Sequence, residues 1–473
     1  MKKKMATTAI FLSLLLIFLL SKTGAVLLLT EIQALTSFKL GLQDPLGALS
    51  GWDPTTPLAP CDWRGVSCNE GRVTELRLPG LKLAGELTDQ LASLSQLRKL
   101  SLHSNDLNGT VPTNLPQCSL LRSVYLQNNS LWGPVPPSLF NLTNLQDLNL
   151  AHNRLNGTLP VSLTSSLRFL DVSSNSFTGE IPSNFTSASQ LQLINFSYNN
   201  FSGGVPGSIG LLQGLQYLWL DYNGLAGSLP SALANCSSLV HVSAEGNELK
   251  GVLPGSIGSL PKLEVLSLSG NQLSGSAPAS LFCGGLRIVN LGANEFTGVV
   301  GPSSNGVKCV GALEVLDLHG NRIDGEFPTW LTGLTSIRVV DLSGNFLSGE
   351  FPVDVGNFTR VEELRVANNS LTGSIPSWIS QCGSLQVLDL QGNRFSGEVP
   401  SFLGEIKSLK ILSLGGNLFS GDVPSGLGGL TKLESLRLGS NNLSGYVPEE
   451  ILNLGNLSSL DLSNNGFSGE VPW

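Results

Sequence analysis

Five aspartates, Asp171, Asp317, Asp341, Asp389 and Asp461, recur at one position of a repeated segment. Carboxylates do general acid–base work only when paired, or when set beside a base, within hydrogen-bond reach of one substrate. Asp171 and Asp317 stand six copies apart, so the column gives no catalytic pair and reads as a solvated face. The four histidines, His103, His152, His241 and His319, fall in different copies without ligand spacing. No metal and no cofactor is expected from them. A phosphoryl-transfer site needs a Gly-rich loop, a strand lysine, a catalytic-loop aspartate and a metal-binding aspartate. No HRD, DFG or VAIK occurs, and the glycines follow the repeat period. The chain is therefore not expected to be an enzyme.

What remains is binding chemistry. On each copy, the residues six, four and two places before a recurring Asn should point out of a sheet. Most copies are read as carrying Ser, Asp, Gly or Asn there, whereas copies 3 and 6–8 do not. Copy 7 offers Tyr217, Trp219 and Asp221, with Tyr222 next. Copy 8 offers His241 and Glu245, copy 6 ends with Tyr198, and copy 3 offers Tyr125. Stacked strands would hold the residues of copies 6–8 within about 10 Å of one another. Exposed aromatics among small polar residues are the usual composition of an interaction hot spot. Two readings stand: the cluster is the main contact for a peptide or protein, or Tyr and Trp serve strand formation and cover a glycan or each other.

These residues are positioned by a repeat. LRKLSLHSNDLNGTVP (Leu97–Pro112) aligns with LQVLDLQGNRFSGEVP (Leu385–Pro400) on the template LxxLxLxxNxLxGxxP. Sixteen copies carry the Asn, from Asn105 to Asn465, mostly at intervals of 24; a degenerate first copy has Leu81 in its place. All seventeen keep the Gly four places later, and fifteen keep a Pro three places beyond that. The LxL alternation predicts a short strand that cannot bury its inner face alone, so copies must stack into one continuous core. Asn carries a donor and an acceptor for buried backbone groups at the turn. Gly permits the turn, and Pro suits a second short extended segment at a sheet edge. The stretch after Pro, such as SLFNLTNL, reads as a half-turned helical piece on the far side.

Gly makes up 54 of 473 residues, and charged residues only 13%, as one motif copied many times would give. The net charge of −8, with no basic stripe, argues against a nucleic-acid partner. Lys2–Lys4, the apolar run Ala9–Leu20 and the small residues Thr23, Gly24 and Ala25 read as a signal peptide over residues 1–25. The alternative is an uncleaved anchor, although the run is shorter than the ~20 residues a span needs. Removing the segment takes away four lysines and no acid, and the net charge becomes 23 − 35 = −12.

LxxLxLxxNxLxGxIP at 24-residue spacing resembles the plant-specific leucine-rich repeat. EIQALTSFK…DPLGALSGWD…CDWRGVSC (Glu31–Cys68) is similar to the N-terminal cap of plant leucine-rich-repeat receptors. The resemblance implies an α/β repeat solenoid, a horseshoe or superhelix with a concave parallel β-sheet. It would comprise a cap at 26–72 and seventeen repeats over 73–473, with no C-terminal cap. In that family the fold forms the extracellular, ligand-recognising half of receptor-like serine/threonine kinases, kinase-less receptor-like proteins, and some secreted inhibitors of microbial wall-degrading enzymes. A receptor ectodomain or a fragment of one is the leading expectation. Its partners would be a peptide or protein ligand and a co-receptor. Its place would be the extracellular face of the plasma membrane if the chain continues, and the apoplast otherwise. Steroid receptors of the family carry an island of tens of residues, and the longest interval here is 27. The family's carboxylate-binding Arg-x-Arg pair is also missing, since Gly439 follows Arg437 and Ala367 follows Arg365 at that spacing. The chain stops at Pro472–Trp473 after a regular internal copy, so a longer natural product is expected.

In the cap, Cys61 and Cys68 are expected to be bridged, because a solenoid end has no neighbour on one side. Cys118, Cys236, Cys283 and Cys382 share one inward slot. Cys309 lies in the one long interval, and its copy stacks on the copy holding Cys283. A Cys283–Cys309 bridge is expected, the alternative being two thiols. Twelve Asn-x-Ser/Thr motifs are candidate glycosylation sites: Asn108, Asn128, Asn141, Asn156, Asn184, Asn195, Asn200, Asn235, Asn357, Asn368, Asn442 and Asn456.

Overall fold

The computed structural model describes residues 28–301, 311–353 and 358–469. The proposed signal segment, Cys309, Asn357 and Pro472–Trp473 lie outside the described residues. The chain forms two compact units, Met1–Leu215 and Gln216–Trp473.

In the first unit the LxL segments form parallel strands: Arg72–Arg77, Lys99–Ser101, Ser123–Tyr125, Asp147–Asn149, Phe169–Asp171 and Leu193–Asn195. In the second unit the same segments run in parallel from Tyr217–Trp219 through His241–Ser243, Val265–Ser267 and Ile288–Asn290. They continue through Val315–Asp317, Val339–Asp341, Glu363–Arg365, Val387–Asp389, Ile411–Ser413 and Ser435–Arg437 to Ser459–Asp461. The register advances one copy per strand, so Leu218, Val242, Leu266 and Val289 align, and all four are fully buried. Flanking residues point the other way because side chains alternate along a strand. The 27-residue interval leaves this register intact, with Ile288 opposite Val315.

The template asparagines tie the copies together. The Asn271 amide donates to the carbonyls of Ala244 (2.8 Å), one copy back, and Leu268 (3.0 Å), while its oxygen accepts the Leu249 N–H (3.0 Å). Asn129 does the same with Leu102, Leu126 and Leu107. Each side chain thereby satisfies three backbone groups that burial would otherwise leave without partners. The degenerate first copy has no Asn of its own, and the Asn105 oxygen accepts both the Leu81 and Leu83 N–H groups in compensation.

Two turn positions need left-handed backbone. The residue before the template Asn has φ between 49° and 68° in every copy, from Gly80 to Asn464. The template Gly has positive φ in all seventeen copies, and at Gly85 a Cβ would also meet the Gly41 carbonyl oxygen at 2.3 Å.

The second extended segment lies upstream of the place expected for it. It includes the Gly and precedes the Pro, as in the parallel strands Arg154–Thr158, Ser176–Glu180 and Asn200–Gly203. Proline sits immediately before a 3-10 helix. Pro206 (φ −71°) leads into Gly207–Leu211 and its carbonyl accepts the Ile209 N–H at 3.1 Å; Pro254 leads into Gly255–Ser259. Fixed φ and the missing N–H suit a helix entry better than a sheet that needs donors. The far side is therefore built largely of short 3-10 helices, although the segments after Pro160 and Pro182 form only turns and bends.

The cap is a helix over 28–40 followed by turns and a hairpin. The expected Cys61–Cys68 disulfide is present, with Cα atoms 5.6 Å apart. Trp52 and Trp63 stack at 5.0 Å, and their indole N–H groups donate to the Arg64 and Asp53 carbonyls. Glu31 is completely buried; it pairs with Arg72 at 2.7 Å and accepts the Val73 N–H at 3.1 Å. This ion pair locks the cap helix to the first strand of the repeats. Cys118, Cys236 and Cys382 are buried thiols. Burial pushes the Cys118 thiol up to about 12 and that of Cys382 to about 11. Cys283 is disulfide-bonded, and its expected partner lies outside the described residues.

Candidate functional site

Strand alternation in the second unit buries Leu218 and turns Tyr217 and Trp219 outward, both half-buried. Their rings meet at 5.5 Å, tilted by 45°. On the next strand His241, opposite Tyr217, sets its ring edge-on to Trp219 at 5.6 Å. Burial pushes the His241 imidazolium down from its ordinary range, against the pull of the Asp221 and Glu245 carboxylates. The neutral ring is the one that packs on Trp219 at neutral pH.

Below the aromatics runs a polar chain. Asp221 accepts the Ser243 hydroxyl and the Glu245 N–H, the latter at 2.9 Å. Glu245 accepts the Ser267 hydroxyl and the Asn290 amide, the latter at 3.1 Å. Two carboxylates on neighbouring copies are thus held in fixed orientation by neutral donors.

Tyr222 occupies the left-handed position before the template Asn, with φ 50°, and is 49% exposed. Its N–H donates to the Glu245 carbonyl at 2.7 Å, and its ring lies over Gly246. A bulky residue in this conformation costs on the order of 1–2 kcal/mol. Strand propensity does not explain it, because the position is a turn. The repeat imposes this φ in every copy, so what sets Tyr222 apart is a bulky, half-exposed ring where most copies carry Gly, Ser or Asn.

The structure therefore brings Tyr217, Trp219, Asp221, Tyr222, His241 and Glu245 into one patch. Tyr125 and Tyr198 belong to the first unit. Tyr125 donates to Asp147 at 3.1 Å, with the Lys99 ammonium 5.2 Å from its ring centre. Burial first, and then Asp147, pushes its phenol up. Tyr198 holds the same left-handed turn position as Tyr222, with φ 57° and 55% exposure.

One sequence expectation is corrected. The residue six before the Asn is not small and polar in copies 9–12. It is Val265, Ile288, Val315 and Val339, each half-buried and each aligned with the next. The polar chain through Ser243, Ser267 and Asn290 was also missed. Reading the outward positions one column at a time across copies would have shown both. Among the described residues no three His, Cys, Asp or Glu side chains converge as a metal site, and no helix is long and apolar enough to cross a membrane.

Comparison with known proteins follows this geometry. A leucine rich repeat N-terminal domain model matches residues 28–69. Leucine rich repeat models match 165–225 and 401–467, and single repeats from 96–118 to 384–406. Over 77 residues, 16% of the chain, it is 54% identical to a probable inactive leucine-rich repeat receptor kinase, XIAO, of Oryza sativa subsp. japonica. That match spans 7% of the relative's length. The chain is similar to the leucine-rich-repeat ectodomain of the Arabidopsis receptor kinase HAESA, solved with an IDA peptide hormone ligand: 32% identity, TM-score 0.73, 93% of this chain and 78% of that one. It is also similar to the plant peptide hormone receptor RGFR1 in complex with RGF2, at 33% identity and TM-score 0.72, over 82% of this chain and 66% of that one.

Proposed function

Because this chain belongs to the plant leucine-rich-repeat receptor family, we propose that it is the extracellular ligand-recognition module of a cell-surface signalling receptor. Its ligand is a peptide or protein, and its main contact is the patch of Tyr217, Trp219, Asp221, Tyr222, His241 and Glu245. The observation that carries this reading is the outward cluster in which Trp219 packs on Tyr217 and, across to the next strand, on His241. Peptide complexes of HAESA and RGFR1, and a HAESA complex with the co-receptor SERK1, support a peptide ligand and a co-receptor here. Residues 1–25 direct secretion, the cap spans 26–72 and the repeats 73–473. The chain itself carries no catalysis; a serine/threonine kinase would reside in a segment beyond it. N-glycans on the Asn-x-Ser/Thr motifs and a Cys283–Cys309 bridge belong to the same extracellular reading.

The test is a Tyr217→Ala/Trp219→Ala variant in the signalling receptor. Normal secretion and melting with lost ligand-triggered signalling is the expected result. Normal secretion with unchanged signalling places the ligand elsewhere.

A further inference from the structure

The residue seven places before the template Asn stands at the entry to each strand, and its N–H bonds the carbonyl at the same position one copy back. In the first unit these residues are Thr74, Arg98, Arg122, Gln146, Arg168 and Gln192, joined at 2.7–2.8 Å. The strand spacing of ~5 Å sets Arg122 one step from Arg98, and Arg168 two steps from Arg122.

The second unit shows what this row lacks. There the same position alternates in sign through Glu264, Arg287, Glu314, Arg338 and Glu362. Arg287 bonds Glu314 at 2.9 Å and pairs with Glu264 at 3.5 Å, and Arg338 bonds Glu362 at 3.2 Å. In the first unit no acid stands in the row, and the segments leading into it, 95–97, 119–121, 143–145 and 165–167, hold none. Arg98, Arg122 and Arg168 are exposed, and among the described residues none of the three makes an ion pair. At the next position along each strand Glu75 pairs with Arg77, and Asp147 accepts the Ser123 and Tyr125 hydroxyls at 2.8 and 3.1 Å. Asp147 keeps its charge, and Lys99 at that same position offsets it. The three arginines therefore remain uncompensated. Phe169, 41% exposed, follows Arg168, and the half-buried Gln146 and Gln192 stand on either side of Arg168 in the row. No Asn-x-Ser/Thr motif falls on the row or in the segments leading into it; Asn141 ends the 3-10 helix Pro137–Asn141 just before one of them.

We propose that this row binds a linear acidic polysaccharide, a polymer of uronic-acid sugars. Such a chain carries one carboxylate per sugar, a step close to the strand spacing, so successive charges meet successive copies. An extended acidic peptide repeats its same-side carboxylates only every two residues, at ~7 Å, and falls out of step. Each guanidinium can hold a carboxylate through two N–H groups. Gln146 and Gln192 carry both donors and acceptors for sugar hydroxyls. Phe169 offers an aromatic face to the apolar side of a sugar ring. The chain's net charge of −8 repels polyanions in general, so the attraction has to be local.

The probe is an end-labelled oligogalacturonate long enough to span the row, with its fully methyl-esterified form as the uncharged match. Each is titrated against the full secreted chain by fluorescence anisotropy. The acid form is expected to bind about tenfold tighter or better at ~50 mM salt, with the gap narrowing at ~500 mM as screening grows. Arg98→Gln/Arg122→Gln/Arg168→Gln is expected to weaken it by about fivefold or more at an unchanged melting temperature, whereas Arg287→Gln/Arg338→Gln leaves it as it was. If the triple variant is not secreted, Arg98→Gln/Arg122→Gln supplies the same reading. Equal affinity for the two forms, or full affinity in a folded arginine variant, overturns the inference. Displacement of the probe by polyglutamate at equal carboxylate concentration as readily as by unlabelled oligogalacturonate also overturns it, in favour of acidic peptides. None of these results touches the ligand site at Trp219, which lies in the second unit and is read from signalling by the Tyr217→Ala/Trp219→Ala variant.

Discussion

Tyr222 lies against Gly246 so closely that a Cβ at 246 would stand 2.6 Å from the tyrosine Cδ1. Gly246 also has φ 61°, so two demands fall on one residue. Gly270, one copy on, has φ 68° but only backbone near its missing Cβ, at 3.4 Å. Gly246→Ala and Gly270→Ala should each cost on the order of 1–2 kcal/mol in backbone strain. Only Gly246→Ala should displace the tyrosine ring and reduce ligand response. Melting and signalling measured on both variants separate the two effects, and equal signalling loss from Gly270→Ala would contradict this.

Asn271 bonds Ala244, Leu268 and Leu249 at 2.8–3.0 Å. Asn271→Ala leaves those three buried backbone groups without their partner, at about 1–3 kcal/mol each. Asn271→Asp keeps the acceptor but turns a second carboxylate oxygen toward the Ala244 and Leu268 carbonyls and buries its charge, so it should be no more stable than alanine at neutral pH. Denaturant unfolding ranks the three proteins.

Glu31 is fully buried against Arg72. Glu31→Ala strands the guanidinium and should destabilise the cap by about 3–5 kcal/mol. Loss of protease resistance confined to the N-terminal segment is the expected signature. A cap as resistant as wild type would show that the pair does not hold the helix.

His241 has its pKa lowered in the folded chain, first by burial, from the ordinary value of 6.5. The unfolded state then binds the proton more readily, so this contribution is complete above about 6.5 and is lost as pH falls toward the lowered folded value. His241→Gln should flatten the fall of melting temperature on acidification below pH ~6.5. An unchanged slope in the variant would assign the acid sensitivity to other groups.

Cys118, Cys236 and Cys382 are buried thiols, and the first and last are raised to about 12 and 11. Thiolate is the reactive form, so alkylation should be negligible in the native protein and should reach these three after unfolding without reductant. Cys61 and Cys68 should stay unlabelled until reduction. Non-reduced peptide mapping should also recover a Cys283–Cys309 peptide pair; a labelled Cys309 would refute that bridge.

Period and residue type made the repeat legible, since an asparagine every 24 residues has one economical use, and the aligned strands follow from it. Proline was misplaced because fixed φ suits both an edge strand and a helix entry, and only the path of the chain after Gly203 separates them. The aromatic patch was visible as composition. Its packing was not, because the contact of Trp219 with His241 depends on how two strands 24 residues apart are registered. The aliphatic positions of copies 9–12 escaped because Val and Ile are ordinary in strands, and only the column from Val265 to Val339 makes them a surface. The Glu31–Arg72 pair spans 41 residues, and no local pattern announces it.

The asparagine bonds reach one copy back with the same geometry at Asn129, Asn271 and Asn417. Even the long interval before Asn321 keeps the bond to Leu291, at 3.1 Å. A whole copy removed or duplicated therefore rejoins its neighbours through an identical joint, whereas a partial one leaves a broken rung. Gene rearrangements in whole repeats outside the copies that hold the aromatic patch can slide it nearer to or farther from either end while the asparagine joints are kept. Reach becomes a quantity that heredity adjusts in discrete steps, independently of the chemistry the patch performs.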